Sequence, residues 1–422
     1  MKVIDKNNKV YLFVPYIILM LLYLRISIFR YVAILLLLFP LIVGVILDKK
    51  VPKRYFLIYG FLALHLCTAL LHTVSVLSGI EIVLQDVIWV APIFIFDVIE
   101  NIEAEKRRVV CRTISLLMTL TLGYCMVRSY LYSLSNPYAI RSMANFDVTE
   151  TPAGMPLAIG GGYPLIFSCI ILAPYFIYLW KNHRHDNNRI GFTSIIAFVF
   201  TMLLLISSNV TTAVLLAAAG SAWMISINRK SNNAIILAAV LLLLAIVATN
   251  LRALASIVDF ISVFFNSKSI IYIRLQEILP ALSGNSNSSS FGDRLMLTER
   301  SFSTIINHPI LGAGFYVGFN YNDLTKYVGH HSEWFDFLAT YGVLNGGLFL
   351  SFLYISFKNL LMAPCFNKSK SFYVVLGILY VIIGFMDPVL STNALMILFV
   401  YIPCTEYAIG GNENEETSVR NI

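Results

Sequence analysis

The sequence predicts an all-α polytopic membrane protein of about twelve transmembrane helices, with a large structured loop between the ninth and tenth spans. Composition is the first observation behind this. Of 422 residues, 58% are hydrophobic and 13% charged, whereas an ordinary soluble domain is roughly 45–50% apolar and about 25% charged. The second is that apolar runs recur along the chain at the length needed to cross a hydrocarbon core, about 20 residues for about 30 Å. The third is that Lys and Arg fall in short clusters between those runs, so the net charge of +7 reads as an orientation signal and not as affinity for nucleic acid. A soluble enzyme is excluded.

The runs lie at 10–28, 31–47, 55–79, 81–99, 109–130, 162–180, 190–207, 210–227, 234–250, 335–357, 371–386 and 389–408. With both termini cytoplasmic, nineteen of the thirty basic residues fall on the inner side, among them Lys49, Lys50, Lys106, Arg107, Arg108, Arg229 and Lys358. Six of the remaining eleven lie in one long outer segment, whose length exempts it from the rule. The expected organisation is therefore 1–250 for spans one to nine with an outer loop at 131–161, then a large outer loop at 251–334, spans ten to twelve at 335–408, and a cytoplasmic tail at 409–422. A basic N-terminus precedes the first run, but Arg25 interrupts it and no small-residue cleavage site follows. The first helix is expected to be retained. The six cysteines form no CxxC pair, so neither a disulfide framework nor a zinc site is implied.

The segment 251–334 is too long for a structureless connection. Within it, 254–265 and 270–279 are apolar on one side and too short to span, which suits helices lying along the membrane surface. A Ser/Asn-rich linker at 283–290 leads to a helix from Gly292 that should end at His308-Pro309, because the residue before proline is pushed out of the α region. Gly312-Ala313-Gly314-Phe315 then turns the chain toward His330-His331-Ser332-Glu333-Trp334.

Ionisable groups in or near a bilayer are expensive and persist when paired or used. On the outer side they are His72, Asp86, Arg128, Arg141, Arg294, Arg300, His330, His331, Glu333, Asp336 and Asp387. Arginine predominates, and its planar fork matches phosphate oxygens bidentately, which points to an anionic phosphate ligand. His330 and His331 stand at the start of a span, where the positive end of the helix dipole favours neutral imidazole. A neutral imidazole can take a proton from a hydroxyl; equally, such a histidine can cap a helix or bond a loop. Adjacent helical residues diverge by about 100° and no further soft ligand follows, so no metal site is expected. His65 and His72 share a helix face and suit bundle-facing hydrogen bonds, and Asp86 could pair with Arg128. Gly160-Gly161-Gly162 is followed by no Lys-Ser/Thr, so it reads as a turn and not as a phosphate loop.

Gly292-Asp293-Arg294 through His308-Pro309-Ile310-Leu311-Gly312-Ala313-Gly314-Phe315, followed by His331-Ser332-Glu333-Trp334-Phe335-Asp336 to Tyr341-Gly342, resembles the signature region of the O-antigen polymerase and ligase family. The resemblance is close over about 50 residues and covers the many-span layout loosely. It implies a bacterial inner-membrane glycosyltransferase that takes a polyprenyl-diphosphate-linked glycan as donor on the periplasmic side, with no cofactor, no metal and no nucleic-acid partner. By position, His331 matches the family's functional histidine and Arg294 its loop arginine, with Arg141, Arg300, Arg128, His330 and Glu333 as candidate diphosphate or glycan contacts. The family often carries another arginine where a mid-chain helix opens; the matching stretch Ser207-Ser208-Asn209-Val210-Thr211-Thr212 has none. Arg141 is the favoured substitute, because the segment from Asn136-Pro137 to Tyr163 is more like polymerases than ligases. The implied reaction joins one lipid-linked glycan to another lipid-linked repeat unit, with a chain-length regulator as partner. A ligase that passes the glycan to a lipid A core is the alternative. A flippase ranks third, since the halves of the chain show no correspondence of the kind common in transporters.

Overall fold

The structure, a computed structural model, describes residues 53–72, 89–100, 102, 104–135, 163–184, 188–208, 210–226, 258–260, 262–265, 269, 272–273, 275–276, 279, 290–313, 328–329, 332–366, 370–387, 389–390 and 394–410. Among these residues regular structure is entirely helical. In chain order the helices are α1 (Tyr55–His72), α2 (89–100), α3 (Ala104–Ser135), α4 (Tyr163–His183), α5 (Asn188–Ser207), α6 (Thr211–Ser226), α7 (Ser290–Asn307), α8 (Glu333–Leu361) and α9 (Lys370–Met386). The last, α10, runs as Ala394–Met396, a π-helical turn Ile397–Tyr401, and Ile402–Gly410. Among the described residues four helices are long and apolar enough to cross a membrane: Lys106–Leu134, Pro164–His183, Arg189–Ser207 and Glu333–Leu361. Four shorter apolar helices accompany them, Tyr55–Thr68, Thr212–Ser226, Lys370–Met386 and Ala394–Ile409. The expected spans at 10–28, 31–47 and 234–250 lie outside the described residues.

The chain divides into two compact units, one of Met1–Met224, Leu344–Gly384 and Val389–Ile422, the other of Ile225–Val343 and Phe385–Pro388. In the first, α4 packs on α5 and α10 on α3. Its interior is aromatic. Phe61 meets Phe349 with ring centroids 5.0 Å apart, Phe357 meets Phe399 at 4.9 Å, and Tyr178 stacks on Phe372 at 4.0 Å. Such contacts suit a bilayer interior, where helix association rests on close packing because lipid is as apolar as the helices. His65 is fully buried and stacks on Phe61, one turn earlier on α1. Where α1 begins, Arg54 and Tyr55 both bond the Asp97 carboxylate of α2.

The π turn in α10 leaves one carbonyl without a backbone donor. Pro403 follows two residues after it, and proline has no N–H to give. In a π turn the C=O of residue i accepts from residue i+5, so Leu398 would need the missing donor of Pro403. The hydroxyl of Tyr373 on α9 takes that place, donating to Leu398 O at 2.7 Å. A side chain thus supplies what the backbone lacks, as it must where water is excluded.

The second unit holds α7, the first turns of α8 and the helical residues 258–260 and 262. Helix α7 ends at Asn307, immediately before His308-Pro309, as the proline dictates. The span expected at 335–357 is a helix of 29 residues interrupted at Gly342, whose φ of 71° and ψ of 175° are not helical.

Candidate functional site

The interruption at Gly342 is built jointly with the turn after α7. In an unbroken helix the N–H of Val343 would bond the C=O of Ala339. Instead Val343 donates to Pro309 O at 2.8 Å, and Ala339 O accepts from the N–H of Ala313 at 2.8 Å. Both freed backbone groups of α8 are satisfied by the 309–313 turn. The turn is closed by Gly312 N–H donating to His308 O at 3.1 Å.

Glycine is required on both sides. Gly312 and Gly342 each have φ of +71°, the region L side chains rarely adopt. A Cβ on Gly312 would stand 2.2 Å from Thr340 O, and one on Gly342 would stand 2.3 Å from Ile310 O. The glycine-bearing pieces singled out in the sequence are therefore joined, through 308–313 and 341–342, into one structural feature.

A buried polar node sits nearly two turns further back on each helix. Asp336 on α8 accepts from the Ser301 hydroxyl of α7 through Oδ1 at 2.5 Å and from the Ser332 N–H through Oδ2 at 2.9 Å. Ser301 Oγ in turn accepts from the N–H of Gly329 at 2.8 Å. Ser332 caps α8, its C=O taking the N–H of Asp336 at 2.8 Å, so the pair behaves as a capping box with the acid one residue later than usual. Gly329 lies flat against α7: a Cβ there would be 2.3 Å from Leu297 O. Ser301, Ser332 and Asp336 are all buried. With every donor and acceptor of this chain matched, the node is the kind of buried network that holds one geometry.

Among the residues the sequence nominated, Arg294 lies within α7, about two turns before Ser301. Arg300 follows on the same helix, half-buried, with Nη2 3.8 Å from Met296 Sδ. Glu333 opens α8 and is buried. Arg128 lies on α3 and is exposed. His330, His331 and Arg141 lie outside the described residues, as do His72's side chain and Asp86. Gly329 and Ser332, which flank the two histidines, are both tied into the node beside α7. Sequence reading passed over Ser301 and gave Asp336 no role. The Ser332/Asp336 spacing at a helix start was the available signal, while nothing local marks Ser301. The Nε2 of His308 is likewise buried without a hydrogen-bond partner among the described residues. No group of three His, Cys, Asp or Glu among the described residues is arranged to hold a metal ion.

Comparison with known families adds one finding. Residues 194–350 match the family described as O-antigen ligase. The matched region contains α7, the 308–313 turn and the first half of α8, and so encloses both the polar node and the glycine pair. The signature read from 292–342 lies wholly inside it. No curated protein matches the chain.

Proposed function

We propose that this chain, which carries an O-antigen ligase family domain over residues 194–350, is a membrane glycosyltransferase that polymerises a bacterial surface polysaccharide of O-antigen or capsule type. Its donor would be a polyprenyl-diphosphate-linked glycan, and its acceptor another lipid-linked repeat unit at the periplasmic face of the inner membrane. The twelve-span layout with 251–334 outside belongs to the same proposal. Arg294 and a second arginine, Arg141 or Arg300, offset the charge that develops on the departing diphosphate. Arg128, His330 and Glu333 are further candidates for contact with the diphosphate or the glycan. His331 accepts the proton of the attacking hydroxyl. A chain-length regulator is the expected protein partner.

The observation that carries this reading is the Ser301–Asp336–Ser332 node. It anchors the residue next to His331 in the chain, and consecutive Cα atoms are only about 3.8 Å apart. It also anchors Gly329, on the other side of the pair, to α7. By the 3.6-residue repeat, position 294 shares a face of α7 with Ser301. The candidate cation and the candidate base thus belong to segments joined by one buried network.

The ligase reading, transfer to a lipid A core, is favoured by the description of the matched family. One experiment separates the two. In a deletion strain, loss of a polymerase leaves single repeats on the surface, whereas loss of a ligase leaves polymer on the carrier lipid. Complementation with Arg294→Ala or His331→Ala, with membrane levels equal to the parent, is expected to reproduce the deletion pattern. A parental ladder from either variant overturns the residue assignments.

A further inference from the structure

The six cysteines are scattered along the sequence, and all are free thiols. Two of them meet. Helices α3 and α10 belong to the same compact unit and run antiparallel along a ladder of polar contacts. Arg107 Nη1 donates to the Tyr407 hydroxyl at 3.4 Å, the Ser115 and Thr405 hydroxyls bond at 2.8 Å, and those of Thr119 and Tyr401 at 3.1 Å. Arg107, Cys111, Ser115 and Thr119 recur four residues apart, so they lie along one face of α3. Cys111 is therefore the rung between Arg107 and Ser115. On α10, Cys404 adjoins Thr405 and stands about one turn from both Tyr401 and Tyr407. Both thiols are fully buried, and their side chains are hydrogen-bonded to each other.

A thiol is a weak donor and a weak acceptor, so this rung adds less to helix pairing than the hydroxyl rungs beside it. Its distinguishing property is chemical: two sulfurs in contact on different helices can exchange two S–H bonds for one S–S bond. The rung lies near helix ends, with Cys111 about two turns from the first residue of α3 and Cys404 fewer than two turns from the last of α10. Helices open most readily there, which gives a small oxidant a route to buried sulfur. In the proposed topology Lys106, Arg107 and Arg108 set this end of α3 on the cytoplasmic side. Thiols are kept reduced in that compartment, so the resting state is the dithiol.

We propose that Cys111 and Cys404 are a redox-sensitive pair whose oxidation cross-links α3 to α10. Each thiol gives up its hydrogen, one S–S bond forms, and two electrons and two protons pass to an acceptor of the quinone class. A thiol reductant reverses the step by exchange. Two helices otherwise held by side-chain contacts become one covalent element at the end that carries Arg107 and Tyr407. The pairing is independent of the glycosyltransferase reading.

The test uses the full chain with Cys67→Ser, reconstituted in phosphatidylcholine/phosphatidylglycerol vesicles, so that the exposed thiol is gone and five remain. Diamide, an azo compound that accepts the same two electrons and two protons, is added at temperatures stepped up to just below the thermal midpoint. Thiols are then counted by N-ethylmaleimide labelling in SDS, and linked peptides are identified by mass spectrometry. The count is expected to fall from five to three, with one link, Cys111 to Cys404, that dithiothreitol opens. Cys365 is the rival partner, since its side chain bonds Tyr407 at the same end; Cys365→Ser should leave the link in place. The linked chain should unfold above the reduced one, because the bond closes a long loop, and a lower midpoint overturns the cross-link as a lock. A count that stays at five at every temperature overturns the pair. So does a link from Cys365 to either thiol, or one between two chains. The readout is thiol chemistry and not activity, so it can fail while the glycosyltransferase reading stands.

Discussion

Ala339 and Val343 stand four residues apart on α8 and do not pair; each bonds instead to the turn that follows α7. A helix long enough to span the membrane is thereby opened at one position and closed again by another part of the chain. The glycines at 312 and 342 make this possible, each leaving out the Cβ that the other's neighbourhood could not admit.

The glycine pair predicts an asymmetric substitution pattern. Gly312→Ala and Gly342→Ala each combine a left-handed backbone, about 1–2 kcal/mol for an L residue, with overlap against backbone atoms that cannot swing away. Both should lower the thermal midpoint of the detergent-solubilised protein clearly. Gly347→Ala, where a Cβ meets nothing within 4 Å, should raise it slightly, since alanine suits a helix interior by about 0.5–1 kcal/mol. Equal midpoints for all three would contradict the clasp.

Removing the Ser301 hydroxyl deprives Asp336 of a donor and Gly329 of an acceptor. Ser301→Ala should cost about 1–3 kcal/mol, the usual penalty for an unmatched buried group. Hydrogen exchange at the Gly329 amide should speed up well beyond that of amides in α5. Unchanged protection at Gly329 would mean that the node does not hold the segment.

Tyr373→Phe leaves Leu398 O without its donor, with an expected loss of about 1–3 kcal/mol. Pro403→Ala restores a backbone N–H that can reach that carbonyl. In a double-mutant cycle, Tyr373→Phe should therefore cost less when Pro403 is already alanine. Strict additivity in thermal unfolding would show that the hydroxyl does not replace the missing amide.

Arg54 and Asp97 are nearly enclosed, with side-chain exposures of 8% and 15%. Breaking such a pair leaves one charge uncompensated, a loss of about 3–5 kcal/mol, whereas replacing both partners by apolar residues is often close to neutral. Arg54→Met should accordingly destabilise more than Arg54→Met combined with Asp97→Leu. The unfolding midpoints of the two variants decide it.

Much of this molecule was legible in its letters, because its strongest signals are local or periodic. Apolar runs near the length of a bilayer produce spanning helices whatever surrounds them, and His308-Pro309 ends α7 through the proline ring acting on its own neighbour. The pieces of the family signature could likewise be recognised one by one. What no local pattern carries is which piece meets which. Ser301 resembles any helical serine until Gly329 and Asp336 close on it. Leu398 has no visible deficiency until the hydrogen-bond period around it changes from four to five and its donor becomes a proline. The joining of Gly312 to Gly342, across thirty residues of sequence, was settled only by tertiary structure. A hydrogen bond between distant segments depends on where both backbones are brought in space, and sequence spacing does not encode that.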